Sequence, residues 1–580
     1  MEMSTAFSLE SYKPIDRKIV PKLRKETGAH YTPQALAEFV ADQIAKYFVQ
    51  DSADSMVRIL DPAVGDGELL LALSKRLLVN QETEIEFSGF DTDVLAIEAT
   101  RKRFFDELPN IKLSIKEEDF VSFSLQHRTE GSLFPLTKYD AVIANPPYVR
   151  TQMLGAENSQ ELAQNFGLTG RVDLYHVFVC GISAVLRSGG IAGIIVSNRF
   201  MTTRGGAEIR RRLQEEFEIL HVWDLGDTQI FEAAVLPAVL LLRKKNFEAQ
   251  KTPAKFTSIY QSDKTGLMIE SRNVIGALDM NGFVSLENGQ SYLVQQGNLN
   301  VDSETGGVWT IATQASDSWL STVRENTYCT FADIGKIRVG VKTTADKIFI
   351  HSNWTSLPIS EQPEVLRPLI THHIARQYRS HSINTSILYT HESKDGKRMP
   401  IDLAQFPITS DYLEKHRTAL ESREYVVGSG RKWYEIWVPQ DPARWAKPKI
   451  VFRDITSSPT FWIDLTGAVV NGDCYWLAND FGTDDDFLWL ALAVGNSTFI
   501  ESFYDKSFNN KLYSGRRRFM TQYVEKFPLP SPYSLLPRQI IQKTKTLYEA
   551  IPLSESDELI KEIDELVWQS FGFGSKEVAR

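Results

Sequence analysis

Asn145-Pro146-Pro147-Tyr148 is the part of this chain whose residue types are best suited to chemistry. The two prolines fix φ and remove two backbone donors. What faces outward is the Asn145 amide, the Pro146 carbonyl and the Tyr148 ring. That set suits a flat, amino-bearing group, such as the edge and face of adenine. An exocyclic adenine amine is a poor nucleophile, because its lone pair is delocalised into the ring. Two acceptors that bind both amine protons, the Asn145 oxygen and the Pro146 carbonyl, favour a pyramidal nitrogen with a usable lone pair. This is stabilisation by placed dipoles, and it needs no covalent intermediate.

Such groups work only from a fixed place, and the preceding residues supply one. Tyr139 to Ala144 reads as a buried strand running straight into the motif. Asn145 therefore lies at a sheet's carboxyl edge, where open α/β sheets bind ligands. Helix and strand patterns alternate over the first ~245 residues, which predicts an α/β fold with a doubly wound, mostly parallel sheet. Thr32-Pro33 reads as a helix start, with Thr32 as N-cap. Strands are expected at Val57 to Leu60, Ile85 to Phe90, Lys112 to Lys116, Ile191 to Val196, Ile219 to Leu225 and Val235 to Leu242. A polar loop is expected over Thr151 to Gly170, then a helix from Asp173. The first strand ends in Asp61-Pro62-Ala63-Val64-Gly65-Asp66-Gly67, the second at Asp91 and the third near Asp119-Phe120. In this architecture an acid ending the second strand reads ribose hydroxyls. The Asp119-Phe120 pair is placed to accept from an adenine amino group and cover its ring. The Gly65-Asp66-Gly67 turn matches neither a dinucleotide fingerprint nor a phosphate loop.

The 580 residues suffice for two or more domains, and 42% hydrophobic with 24% charged residues is ordinary for a soluble globular protein. No apolar run approaches the ~18 residues that span a bilayer. The N-terminus lacks a secretory signal, so a cytoplasmic location is expected. Cys180, Cys329 and Cys474 are far apart and unpatterned, and no metal site is expected. A net charge of −10 argues mildly against a non-specific nucleic-acid coat but leaves local basic patches open.

Residues 26 to 245 resemble the gamma-class N6-adenine DNA methyltransferases of the TaqI type. The resemblance rests on Gly28-Ala-His-Tyr-Thr-Pro33, Asp61-Pro-Ala-Val-Gly-Asp-Gly67, Asp91, Asp119, Phe120 and Asn145-Pro146-Pro147-Tyr148, in the family's order. It implies the class I S-adenosylmethionine-dependent methyltransferase fold. It implies S-adenosyl-L-methionine as cofactor, bound by Tyr31, Thr32, Pro33, Asp61, Ala63, Gly65, Gly67, Asp91, Thr92, Asp119, Phe120 and Asn145. Asn145, Pro146 and Tyr148 would act on a flipped-out adenine, with Phe231 as a second aromatic against the base. Gly340-Val-Lys-Thr-Thr344, Lys447-Pro448-Lys449-Ile450 and Phe527-Pro528-Leu529-Pro530 resemble, more weakly, the family's C-terminal specificity domain. The expected organisation is a cofactor-binding catalytic domain over 1–245, a linker of mixed structure over 246–329 and a target-recognition domain over 330–580. Double-stranded DNA, lying in a cleft between the two domains, is the expected partner. A monomer is expected, and the sequence leaves open whether a separate cognate restriction endonuclease exists.

Arg516, Arg517 and Arg518 lie between the aromatics Tyr513 and Phe519, which predicts phosphate contacts. Arg210-Arg211-Arg212 is a second basic run. Several readings compete. A protein-glutamine or ribosomal-RNA methyltransferase also uses Asn-Pro-Pro-Tyr, but usually lacks a large C-terminal module. A fused restriction-modification enzyme would carry a nuclease domain, and no convincing Asp…Asp/Glu-x-Lys site is present. An intact Asn145 to Tyr148 argues against a non-enzymatic DNA-binding subunit. Cytosine N4 methylation uses the same amine chemistry. Cytosine C5 methylation needs a nucleophilic cysteine, typically after a proline, and the three cysteines follow Val179, Tyr328 and Asp473.

Overall fold

The structure, a computed structural model, describes residues 32–49, 56–78, 84–128, 137–148, 156–169, 172–231, 236–246, 253–262, 268–301, 306–480, 482, 484–508, 516–549 and 556–574. It divides into two compact units, with the boundary near Gln314–Ala315.

The first unit is built on one sheet. Its opening strands are β1 (Met56–Asp61), β2 (Glu84–Asp91), β3 (Lys112–Glu117) and β4 (Tyr139–Ala144). Then come β5 (Leu186–Ser197), β6 (Phe217–Asp224) and β7 (Pro237–Lys244). The order is β3-β2-β1-β4-β5-β7-β6. All neighbours are parallel except β7, which runs antiparallel to β5 and β6. This strand order with its one reversal is the class I S-adenosylmethionine-dependent methyltransferase fold.

Alternation along the strands divides the core between the sheet's two faces. Ile59, Ala141 and Ile143 pack on one side with Leu36, Val40 and Ile44 of helix α1 (Gln34–Tyr47). Leu60, Val142 and Ala144 pack on the other with Val177 and Ile182 of the helix Leu174–Val185. Every residue of β4 is buried, so Asn145 leaves a strand with no solvent-facing side.

The expected strands are present, and three local expectations need correction. Residues 246–329 are not mainly linker. They include β8 (Lys255–Gln261), β9 (Ile269–Ser271), β10 (Gly282–Leu286), β11 (Ser291–Val301) and β12 (Trp309–Ala312). These strands continue the sheet, with β8 pairing parallel to β6. The expected loop between Thr151 and Gly170 contains a helix, Ala156–Phe166, with Leu162 and Phe166 buried. Thr32 is not the cap of α1: Pro33 holds the N-cap position, and the Thr32 hydroxyl has another partner, Asn145.

The second unit is mixed α+β. Its central antiparallel sheet has the order Arg338–Val339, Cys474–Ala478, Lys449–Arg453, Phe461–Asp464. The helix Asp486–Asn496 is buried along most of its length. Its residues share one core with Ile540 and Ile541 of the helix Leu535–Glu549 and with Ile563 and Val567 of the helix Asp557–Ser570. A buried Lys449–Asp464 ion pair of 2.6 Å ties two strands.

Candidate active site

The register of the parallel strands brings the predicted residues to one edge. Asp61 sits opposite Gly89, and Asp91 opposite Glu117. From Asp61 the chain turns through Pro62 to Gly67 into helix α2 (Glu68–Leu77). Three bonds shape this turn. Val64 N donates to Phe90 O at 2.8 Å, Gly65 N donates to Asp91 Oδ2 at 3.0 Å, and the Thr100 hydroxyl donates to Gly65 O at 2.8 Å. Gly65 and Gly67 both take the left-handed conformation, at φ 55° and 85°, which favours glycine. A Cβ on Gly67 would strike Thr100, 2.9 Å away, whereas a Cβ on Gly65 would meet nothing within 4 Å. The turn therefore presents open space at Gly65.

Asp61 is the electrostatic centre of the turn. It is 1% exposed. Oδ1 accepts from Ala63 N at 3.1 Å, and Oδ2 has no hydrogen-bond partner. Burial, with smaller repulsions from Asp91 and Asp66, pushes its carboxyl up to about 8. A buried oxygen without a partner is costly unless something fills its place. The Thr92 hydroxyl, at the end of β2, is likewise buried without a partner. Both suit a ligand that brings donors and positive charge.

Asp91 is already partly engaged, because Oδ1 also accepts from Asp93 N at 2.9 Å. Its second role is to hold the glycine turn. Asp119 is the N-cap of helix α4 (Phe120–Gln126), accepting from Val121 N, Ser122 N and the Ser122 hydroxyl at 3.3, 3.2 and 2.7 Å. The Phe120 ring is 2% exposed and packs on Phe178 with centroids 5.1 Å apart.

At the end of β4, Asn145 is half-buried and Pro146 buried. Asn145 Nδ2 donates to Thr32 Oγ1 at 3.0 Å. The amide nitrogen is thus turned toward α1's entrance, and the carbonyl end of the same amide is turned the other way. The Tyr148 ring is half-buried, and burial raises its hydroxyl well above the usual phenol range. Phe231 is 7% exposed and belongs to the apolar cluster on α1's side of the sheet. Gly28 and Tyr31 lie outside the described residues.

A polar network that the sequence did not reveal lies at the end of β6. Asp224, which ends β6, accepts from Asn198 Nδ2 at 2.9 Å, the Tyr260 hydroxyl at 2.7 Å and Gly226 N at 3.2 Å. Burial, against these bonds, sets its carboxyl at about 6. The network anchors the start of the segment that leads to Phe231. An acid closing a strand was its one sequence signal; its partners come from distant strands.

The arginines of the two basic runs differ in their surroundings. Arg517 is 12% exposed at its side chain and makes a two-point ion pair with Asp505, both contacts 2.8 Å. Arg518 makes a similar pair with Asp454, both contacts 3.1 Å. Arg517 and Arg518 thus each carry a carboxylate partner from the same unit. Arg516 alone of the three is exposed; Tyr513 lies outside the described residues. Arg210 is buried and donates to the carbonyls of Phe200, Thr203, Gly306 and Gly307, while Arg211 and Arg212 pair with glutamates of their own helix.

Known proteins resemble the chain along most of its length. Residues 68–231 match the family described as Eco57I restriction-modification methylase, and residues 397–529 match the TaqI-like C-terminal specificity domain. The type II methyltransferase M.BanIII of Aneurinibacillus aneurinilyticus is 38% identical over 567 residues, covering 95% of this chain and 97% of that protein. M.BstVI of Geobacillus stearothermophilus is 24% identical, covering 93% and 96%. M.PaeR7I of Pseudomonas aeruginosa is also 24% identical, covering 87% and 86%.

Proposed function

We propose that this chain, which belongs to the type II restriction-modification DNA methyltransferases, methylates the N6 amine of adenine in duplex DNA with S-adenosyl-L-methionine. The observation that carries the reading is the Asn145–Thr32 hydrogen bond, which directs the amide oxygen of Asn145 to act as an acceptor. The Asn145 oxygen and the Pro146 carbonyl accept the two amine protons, and the nitrogen keeps a usable lone pair. After transfer the nitrogen gives up a proton to water.

When bound, S-adenosyl-L-methionine supplies a methyl group on a sulfonium, ready for in-line transfer. The fit rests on the unpartnered Asp61 Oδ2, the unpartnered Thr92 hydroxyl and the open space at Gly65. Asp61 receives the cofactor's positive charge, with Ala63, Gly65 and Gly67 shaping the turn around it. Thr92 and Asp91 serve the ribose, and Asp119 and Phe120 the adenine end. Thr32 and Pro33, which precede α1, would complete the cofactor contacts, with Tyr31 assigned by the family resemblance alone. The target base leaves the duplex first. Tyr148 stacks on it, worth ~1–3 kcal/mol, and Phe231 supports it. Residues 1–314 perform transfer, and the second unit reads sequence.

Burial pushes the Cys180 thiol up to about 12, which leaves no thiolate there for cytosine C5 chemistry. The specificity-domain match at 397–529 favours DNA over a protein-glutamine or ribosomal-RNA substrate. The test is to incubate the purified protein with duplex DNA and isotope-labelled cofactor, then identify the labelled nucleoside by mass spectrometry. N6-methyladenine is expected. Asn145→Ala should lower the rate by ~10²–10³ while sparing cofactor binding. Label in N4-methylcytosine would overturn the choice of base, and near-normal turnover by the variant would overturn the role of Asn145.

A further inference from the structure

Arg517 and Arg518 already have carboxylate partners, and a different element of the second unit presents exposed cations without an ion pair. His391–Lys394 and Lys397–Pro400 form an antiparallel ribbon that pairs with no other strand of the described residues. Asp395 and Gly396 join them, both at positive φ, 52° and 70°. That is the tight two-residue turn that matches strand twist. Glu392 to Met399 are all exposed.

The ribbon's base, in contrast, is firmly tied. Thr390 and His391 are buried. The Thr390 hydroxyl donates to Tyr434 O at 3.0 Å, the Tyr434 hydroxyl to Ile401 O at 2.7 Å, and Ile401 N to Thr390 O at 3.0 Å. A fixed base with a bare tip is a projecting element.

Within the fold, Arg398 acts only at longer range, on Tyr389 and His391 at the ribbon's base. Among the described residues, Lys394, Lys397 and Arg398 make no ion pair. Lys394 stands directly opposite Lys397, and Ser393 opposite Arg398. Directly opposed residues share a face, so Lys394 and Lys397 project from one face of the ribbon and Arg398 from the other. Like charges in that position destabilise an isolated ribbon, and an anion beside them removes the repulsion.

We infer that this hairpin is the element of the second unit that enters the major groove of DNA, with Lys394 and Lys397 on phosphates and Arg398 on a guanine edge. The inference rests on the reading of the chain as a DNA methyltransferase. Size decides the groove. The major groove is ~12 Å wide and ~8.5 Å deep and admits a two-stranded ribbon, whereas the minor groove is ~6 Å wide. Four residues per strand extend ~13 Å, enough to reach the groove floor. Arginine's planar fork matches the two acceptors of guanine, and a lysine point charge does not reproduce it.

The test uses the full-length protein. Sequencing of DNA methylated by the wild type defines the recognised sequence. Binding is then measured on a duplex carrying that sequence and on a scrambled duplex. Arg398→Ala should cut the preference between them by ~10-fold or more, and Arg398→Lys should not restore it. Lys394→Ala with Lys397→Ala should weaken both duplexes alike and flatten the log–log salt slope by up to ~1.8, at ~0.9 per phosphate contact. All variants should melt like the wild type, because the changed residues are exposed. If the wild type methylates DNA and the variants keep its preference and salt slope, the hairpin assignment falls alone. A wild type that methylates no DNA overturns both readings. A recognised sequence without guanine overturns the role given to Arg398.

Discussion

Thr32 takes the N–H of the Asn145 amide and so turns its oxygen the other way. One neutral hydrogen bond contributes ~0.5–1.5 kcal/mol, so Thr32→Val should lower kcat roughly two- to twelvefold. The fall in kcat should exceed any rise in KM for cofactor, and Thr32→Ser should restore most of the rate. Equal rates for all three proteins would show that Asn145 is held by other means. Asp61 gives a test that reads protons. Its carboxyl is raised from 3.8 to about 8, so the fold without cofactor favours the protonated acid. That contribution is complete below about 3.8 and is lost as pH rises through about 8. Asp61→Asn keeps the neutral shape at every pH. The cofactor-free wild type should therefore lose melting temperature relative to this variant across that window. A cationic cofactor beside Asp61 favours the carboxylate, so binding at pH 7 should release about one proton. Calorimetry in buffers of different ionisation enthalpy reads the number directly. No proton release would remove Asp61 from the cofactor's charged end.

The same contrast between near and distant partners governs whole elements. The strand Arg517–Arg518 pairs with Ile455–Thr456, and its two arginines clamp Asp505 and Asp454. Removing Arg517 leaves Asp505 and Glu501 facing each other in a partly buried place. Arg517→Ala should cost ~3 kcal/mol in denaturant unfolding, while Arg516→Ala should change stability little. Equal effects of the two substitutions would sink the distinction. In sequence the three arginines look alike, because their partners stand 12 and 64 residues away. The strands that carry the site were legible for the opposite reason. Buried β4 is apolar apart from Asp140, and the edge acids Asp61 and Asp91 are the last residues of their strands. Thr32 was misread as a cap because its hydroxyl bonds to a residue 113 positions on, and nothing local signals that. The strands β8 to β12 were missed because the outer sheet is only partly covered. β11 alternates buried and half-buried residues in its first half and exposed and half-buried ones in its second, so it reads as polar linker.

At the scale of the molecule, the strands β8 to β12 decide where the first unit ends. β8 continues the sheet beyond β6 through four in-register pairs, from His221–Lys255 to Asp224–Ser258. Phe256, Ile259, Val284, Tyr292 and Val294 are buried in the same clusters as the cofactor-side strands. Trp309 packs edge-on against Phe200, just past β5. The Tyr260 hydroxyl is one of the donors that hold the buried Asp224 carboxylate. A chain cut after residue 245 would expose the apolar edge of β6 and leave Asp224 short of a partner, which costs both burial and desolvation. A chain cut after residue 314 keeps all of these contacts. We expect residues 1–245 to aggregate or fail to melt cooperatively. Residues 1–314 should melt in one transition and bind S-adenosyl-L-methionine with near full-length affinity. The longer fragment should also lack sequence preference on DNA, because the Lys394–Arg398 hairpin is absent from it. Cooperative melting and full cofactor affinity in the 1–245 fragment would show that the outer strands are an appendage rather than part of the catalytic unit's core.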